Sequence, residues 1–158
     1  MDRTNSADIS FKKISELVST YYELTKPGIT LSVVASMLIG FLMGSAGSVD
    51  LFLMFHATLG TYLIAAGTSA HNMFLERNLD GLMRRTSKRP LPAYKVTPRQ
   101  SFIFSMTLIL AGLLYLISMV NWVAGLVSLA TTIMYLLSPR RRTRAARLKV
   151  FVGPPPGA

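Results

Sequence analysis

Asn72, Glu76 and Asp80 stand four residues apart at the end of a long apolar stretch, and a strongly basic segment follows. The string reads Asn72-Met-Phe-Leu-Glu76-Arg77-Asn-Leu-Asp80-Gly-Leu-Met83-Arg84-Arg85-Thr86-Ser-Lys88-Arg89-Pro90. On a helix each step of four turns by about 40°, so the three side chains share one face. Mg²⁺ takes oxygen ligands and is often held by one or two carboxylates together with substrate phosphates. Glu76 and Asp80 are suitable metal ligands, and Asn72 adds an amide oxygen one turn deeper. Arg84, Arg85, Lys88 and Arg89 come just after, and guanidinium groups pair with phosphate oxygens in bidentate fashion. The set suits catalysis on a diphosphate whose departure is assisted by metal and positive charge. Carboxylates at the mouth of a membrane helix are costly and usually functional. The plainer alternative is a solvated helix end. There Glu76 sits beside Arg77, Asp80 pairs with Arg84 at i,i+4, and the basic loop serves only to orient the chain.

The elements that must position these residues follow from composition. The chain has 158 residues, is 51% hydrophobic and carries a formal charge of +10. Long apolar runs with so basic a balance indicate an integral membrane protein with basic loops rather than a nucleic-acid binder, and no nucleic-acid partner is expected. Four runs stand out, at about Pro27–Gly44, Leu51–Leu75, Phe102–Val120 and Trp122–Leu137. A membrane helix needs ~20 residues, so the first three fit and the fourth is short. The runs are continuously apolar, without the alternation of a barrel strand. The expected fold is therefore all-α, with four transmembrane helices.

All 17 Lys and Arg residues precede the first run, lie between the second and third, or follow the fourth. The turns at Ser45–Asp50 and near Asn121 hold none. By the positive-inside rule both termini and the central loop are cytoplasmic, in the inner or cell membrane. Phe11, Ile14, Leu17, Val18, Tyr21 and Tyr22 recur at helical spacing beside Lys12 and Lys13. Residues 9–24 thus predict an N-terminal amphipathic helix lying at the bilayer surface, with a frayed arm as the alternative. Three regions result: an N-terminal arm or interfacial helix at 1–25, a transmembrane part at 26–138, and a basic tail at 139–158 expected to be disordered. Ala65, Ala66, Gly67, Ser69 and Ala70 permit a close neighbour near the polar triplet. Gly40-Phe-Leu-Met-Gly44 matches a small-xxx-small pattern, read here as ordinary packing. The chain has no cysteine, which excludes disulfides, thiolate metal sites and a cysteine nucleophile.

The string from Asn72 to Pro92 resembles the first motif region of the UbiA-type intramembrane prenyltransferases. Asn-x-x-x-Glu-Arg-x-x-Asp, with Met83-Arg84-Arg85-Thr86 and Lys88-Arg89-Pro90-Leu91-Pro92, is similar to the protoheme IX farnesyltransferase branch. Tyr22-Glu23-Leu24-Thr25-Lys26-Pro27 is similar to that branch's approach to its first span. The resemblance covers roughly Tyr21 to Leu137. It implies a bundle of about nine helices, of which this chain holds about half. It also implies Mg²⁺-dependent transfer of farnesyl from farnesyl diphosphate to a vinyl group of heme B, giving heme O for terminal oxidases. Heme B is then a substrate rather than a cofactor. By matching position, Asn72, Glu76 and Asp80 would hold Mg²⁺ and diphosphate as the catalytic set. Arg84, Arg85, Lys88, Arg89 and Lys26 would contact the diphosphate.

Three departures accompany the resemblance. Gly28 stands where the family commonly has Arg. His71 beside Asn72 is unusual and reads as a packing or cavity-wall residue rather than a heme ligand, and His56 is weaker still as a ligand. No Asp or Glu follows Asp80, so the family's second acidic motif is missing. The chain accordingly reads as the N-terminal half of an enzyme, from a truncated or frame-shifted reading frame, and as inactive alone. Its expected partners are the lipid bilayer and a C-terminal half or a terminal oxidase assembly factor. Competing readings are a non-catalytic membrane fragment or assembly partner, and a prenyltransferase acting on an aromatic quinone precursor.

Overall fold

The computed structural model is all-helical, and the structure describes residues 3–45, 47–80, 90–91 and 93–137. Five helices follow in order: α1 (Arg3–Leu24), α2 (Pro27–Gly44), α3 (Leu51–Asp80), α4 (Pro98–Met119) and α5 (Trp122–Leu137). The segments Pro27–Gly44, Leu51–Asn78 and Pro98–Met119 are long and apolar enough to cross a membrane, while α5 is a shorter apolar helix. Exposed Leu, Ile, Val, Met and Phe side chains cover the outside of all four apolar helices. Such a surface fits hydrocarbon rather than water. The chain is an integral membrane protein.

Helix α3 is the axis of the bundle, with α4 packed antiparallel along it, α2 on another side and α5 touching both α3 and α4. Glycine makes the α3–α4 contact close. A Cβ added to Gly67 would lie 2.9 Å from the Ile109 backbone nitrogen, and one added to Gly112 would lie 3.0 Å from the Ile64 backbone nitrogen. The two backbones therefore nearly touch at two successive levels, and Gly60 against Leu116 extends the seam. In lipid this dispersion contact matters, because no hydrophobic force drives two apolar helices together. The small stretch around Gly67 thus does receive its neighbour. Gly40 and Gly44 do not, since an added Cβ at either meets nothing within 4 Å.

Helix α3 runs unbroken through the apolar stretch and the polar triplet, so the helix reaches Asp80 rather than stopping at Leu75. Helix α4 starts at Pro98, four residues before the apolar run, because Thr97 caps it. Gln100 N–H donates to Thr97 Oγ1, and Thr97 N–H donates to Gln100 Oε1 at 3.0 Å. This capping box satisfies two donors that would otherwise be orphaned. Pro98 at the first position costs nothing there, where no intrahelical N–H bond exists.

Helix α1 begins at Arg3, earlier than the apolar periodicity alone indicates. Ile14, Leu17, Val18 and Tyr22 are exposed along it, whereas its last turn is anchored. Tyr21 meets Phe104 edge-on with centroids 4.9 Å apart. Leu24 is fully buried with Ala70, Met73, Leu91 and Val96. A two-residue turn, Thr25 and Lys26, then joins α1 to α2. Lys26 adopts a left-handed conformation with φ 47°, uncommon for a residue other than glycine, asparagine or aspartate. The Thr25 hydroxyl donates to the Tyr22 carbonyl, and the Thr30 hydroxyl donates to the Thr25 carbonyl, each at 2.7 Å. These two bonds hold the turn from either side.

Candidate functional site

The last two turns of α3 carry Asn72, Glu76 and Asp80 along one helix face. Asn72 and Asp80 are buried, at 7% and 5% exposure, and Glu76 is half-buried. A solvated helix end would leave all three exposed. Arg77 does not serve Glu76: its guanidinium donates to the Phe74 carbonyl at 2.9 Å and lies 4.5 Å from the centre of the Phe74 ring. Asp80 is already engaged by a partner. Among the described residues, no hydrogen bond or ion pair involves the side chains of Asn72 and Glu76, so their oxygens remain available to a ligand.

Helix geometry limits what the triplet can do. Asn72 and Asp80 are about 12 Å apart along the axis, while Mg²⁺–oxygen bonds are about 2.1 Å. One ion cannot be held directly from both ends. A ladder of this length suits an extended anion with cations along it. Among the described residues no group of three or more His, Asp or Glu side chains is arranged to hold a metal ion. The donor set of two carboxylates and an amide nonetheless fits Mg²⁺, which habitually completes its shell with water and substrate phosphate.

Lys26 belongs to the same end of the bundle. Leu24, two residues before it, packs with Ala70 and Met73, which flank Asn72 on α3. Lys26 is half-buried and has a partner of its own. Gly28 is exposed with open space around it, so an arginine would fit there sterically. Arg84, Arg85, Lys88 and Arg89 lie outside the described residues, as does the tail at 139–158. The segment returning from them is closed by Pro90 and Leu91, both buried, and by Val96. The Lys95 N–H donates to the Pro90 carbonyl at 2.9 Å. Leu91 and Val96 pack the segment leading into α4 against Leu24 and Met73, a role that sequence reasoning did not assign. The signal available was Pro-Leu-Pro followed by the Thr97–Gln100 capping box.

His71 faces α4, not the polar face. The Ser105 hydroxyl donates to the Phe102 carbonyl at 2.9 Å and therefore accepts from His71 Nδ1–H at 3.1 Å, since serine has one proton to give. Phe74 and Phe102 flank the imidazole. This is the packing role expected for His71. His56 lies near the opposite end of α3, bonded through Nδ1 to the Tyr115 hydroxyl and ringed by Phe52 and Phe55.

Comparison with known proteins bears on this arrangement. The profile of the UbiA prenyltransferase family matches residues 33–153. The chain belongs to the UbiA prenyltransferase family. Among curated UbiA-type relatives, a protoheme IX farnesyltransferase of Aquifex aeolicus is 37% identical over 134 residues, covering 82% of this chain and 46% of the relative. One from Koribacter versatilis is 32% identical over 148 residues, covering 92% and 48%. One from Trichodesmium erythraeum is 33% identical over 122 residues, covering 77% and 37%. The chain thus spans at most about half the length of these UbiA-family relatives. No solved structure matches it at a significant level.

Proposed function

We propose that this chain supplies the N-terminal part of a protoheme IX farnesyltransferase, transferring farnesyl from farnesyl diphosphate to a vinyl group of heme B to give heme O. The observation that carries the reading is the α3 face. Asn72 and Glu76 present oxygens that no described neighbour uses, at the end of a membrane-length helix. Relatives bearing that enzyme name over most of this chain support it.

In this reading Asn72, Glu76 and Asp80 would hold Mg²⁺ and with it the diphosphate end of the substrate, and the ion would supply positive charge for the departing diphosphate. Arg84, Arg85, Lys88, Arg89 and Lys26 complete the cradle by pairing with phosphate oxygens. The buried surroundings of Asn72 and Asp80 keep water from competing for the reacting carbon. Helix α5 acts as a fourth span, and the four make up part of a bundle of about nine helices. Residues 1–25 form the interfacial arm, 26–138 the membrane part and 139–158 a basic tail. Both termini face the cytoplasm, as the lysine and arginine placement requires. A complementary C-terminal half provides the other wall of the site.

The test is expression of this chain with the C-terminal half of the Aquifex aeolicus relative, in cells that make no heme O of their own, followed by mass spectrometry of extracted hemes. Heme O is expected, falling by about 100-fold or more with Glu76→Gln or Asp80→Asn. Full product from both variants would remove the metal and diphosphate assignment.

A further inference from the structure

Helices α3 and α4 meet in a regular series of layers. Gly60 lies opposite Leu116, Ile64 opposite Gly112, and Gly67 opposite Ile109. His71 follows opposite Ser105, and Phe74 opposite Phe102 with ring centroids 5.4 Å apart. The contact positions on α3 advance by alternating steps of four and three, and those on α4 recede by the same steps. That is the spacing of an antiparallel coiled-coil seam. Each glycine layer sets the glycine against a large side chain, and the glycine changes helix from one layer to the next. A slip by one layer would set large against large and is disfavoured. The size pattern nonetheless repeats every seven residues, and dispersion contacts alone have no preferred direction.

The polar layer breaks that repeat. His71 Nδ1–H donates to the fully buried Ser105 hydroxyl at 3.1 Å. The Ser105 proton is committed to the Phe102 carbonyl, so the acceptor is itself held in place. Phe74 and Phe102 flank the imidazole, each with its centroid 5.7 Å away. A hydrogen bond weakens steeply once it is misaligned, which makes this the directional contact at the site end of the seam. The contact between His56 and the Tyr115 hydroxyl lies about 22 Å farther along α3. Asn72 is the residue after His71, about 100° round the helix. With His71 aimed at α4, the whole Asn72–Asp80 face is turned away from it. A turn of α3 by about 20° would sweep an Asn72 oxygen, about 5–6 Å from the axis, through roughly 2 Å. That displacement equals a whole Mg²⁺–oxygen bond of about 2.1 Å.

We propose that His71 and Ser105 are positioning residues for the Asn72–Asp80 face: their hydrogen bond sets the rotation and level of α3 against α4, and so where the Asn72 and Glu76 oxygens meet a metal-bound diphosphate. The inference rests on the diphosphate reading of the triplet and adds to it the contact that aims the face. His71 and Ser105 act through Asn72 and not on the ligand. An interhelical hydrogen bond in a membrane biases packing by a factor of roughly 3–30. Its loss therefore weakens head-group binding by about tenfold rather than abolishing it.

Two substitutions separate positioning from packing. His71→Phe keeps a ring between Phe74 and Phe102 but has no N–H to give. His71→Asn gives up the ring but keeps an amide N–H near the place of the imidazole Nδ1–H. Each variant of the full chain, in detergent, is assayed for unfolding and for binding of labelled pyrophosphate with Mg²⁺. His71→Phe should unfold close to the unsubstituted chain yet bind about tenfold more weakly. His71→Asn should unfold earlier yet bind within about twofold of the unsubstituted chain. Ser105→Ala, changed on the other helix, should weaken binding as much as His71→Phe does. Tyr115→Phe removes the far polar contact and should lower the unfolding midpoint while leaving pyrophosphate binding unchanged. Affinity that simply follows stability across these variants overturns the positioning role and leaves only packing. Unchanged binding by His71→Phe, with the unsubstituted chain binding pyrophosphate, overturns it as well and leaves the head site standing. Failure of pyrophosphate to bind the unsubstituted chain removes the head site, and the positioning role falls with it.

Discussion

Gly67→Ala should destabilise the protein even though alanine is the better helix former. In water the exchange favours a helix interior by about 1 kcal/mol. At Gly67 the new methyl would lie 2.9 Å from the Ile109 backbone nitrogen and 2.9 Å from Leu108 Cβ. Ordinary carbon contacts are about 3.5–4.0 Å, so relief needs a separation of roughly 0.6 Å or more. The obstruction is backbone and Cβ, which no rotamer change can move. Helices α3 and α4 must therefore part along a seam that depends on close contact. Overpacking of this kind costs about 1–3 kcal/mol, which leaves a net loss of about 0–2 kcal/mol after the propensity gain. Gly40→Ala is the internal reference, because its methyl meets nothing within 4 Å and should leave stability unchanged or raised. The assay is unfolding of both variants in detergent, by SDS titration or heat, read by circular dichroism. Equal stabilisation of both would refute the close-packed seam and with it the α3–α4 register. Should the helices part, Asn72 lies little more than one turn beyond Gly67, so pyrophosphate binding should weaken together with stability.

Two further outcomes follow from single hydrogen bonds. Ser105→Ala leaves the buried His71 N–H without its acceptor and should cost about 1–3 kcal/mol; Ser101→Ala should be neutral or stabilising, because the Ser101 hydroxyl is buried with no partner among the described residues, and the same detergent unfolding curves separate the two. Thr97→Ala removes the cap of α4 and should cost about 1 kcal/mol, with faster proteolysis between Pro90 and Pro98 as the sensitive readout.

The helical face that carries Asn72, Glu76 and Asp80 was legible in the sequence. The four-residue spacing of Asn72, Glu76 and Asp80 needs only helix geometry to become a face, and α3 does continue to Asp80. The apolar run ended at Leu75 only because hydropathy falls where polar side chains begin, while the backbone hydrogen bonding continues. Other parts could not be read from spacing. Arg77 stands beside Glu76 in sequence yet binds Phe74, a choice made by side-chain reach on the folded helix. Nothing in the pattern distinguished Gly67, in contact, from Gly40 and Gly44, in open space.

The division has a physical origin. Helix formation in a membrane is a local matter, since every backbone group must be satisfied within its own segment. The sequence by itself therefore determined the apolar helices, the charge bias of the loops and the shared face of the triplet. Which helix meets which, and at what level, is not local. An apolar side chain is equally at ease against lipid or against another helix, so hydropathy leaves helix pairing open. Only the tertiary structure decided that Gly67 meets Ile109 and that the His71 Nδ1–H donates a hydrogen bond to the Ser105 hydroxyl.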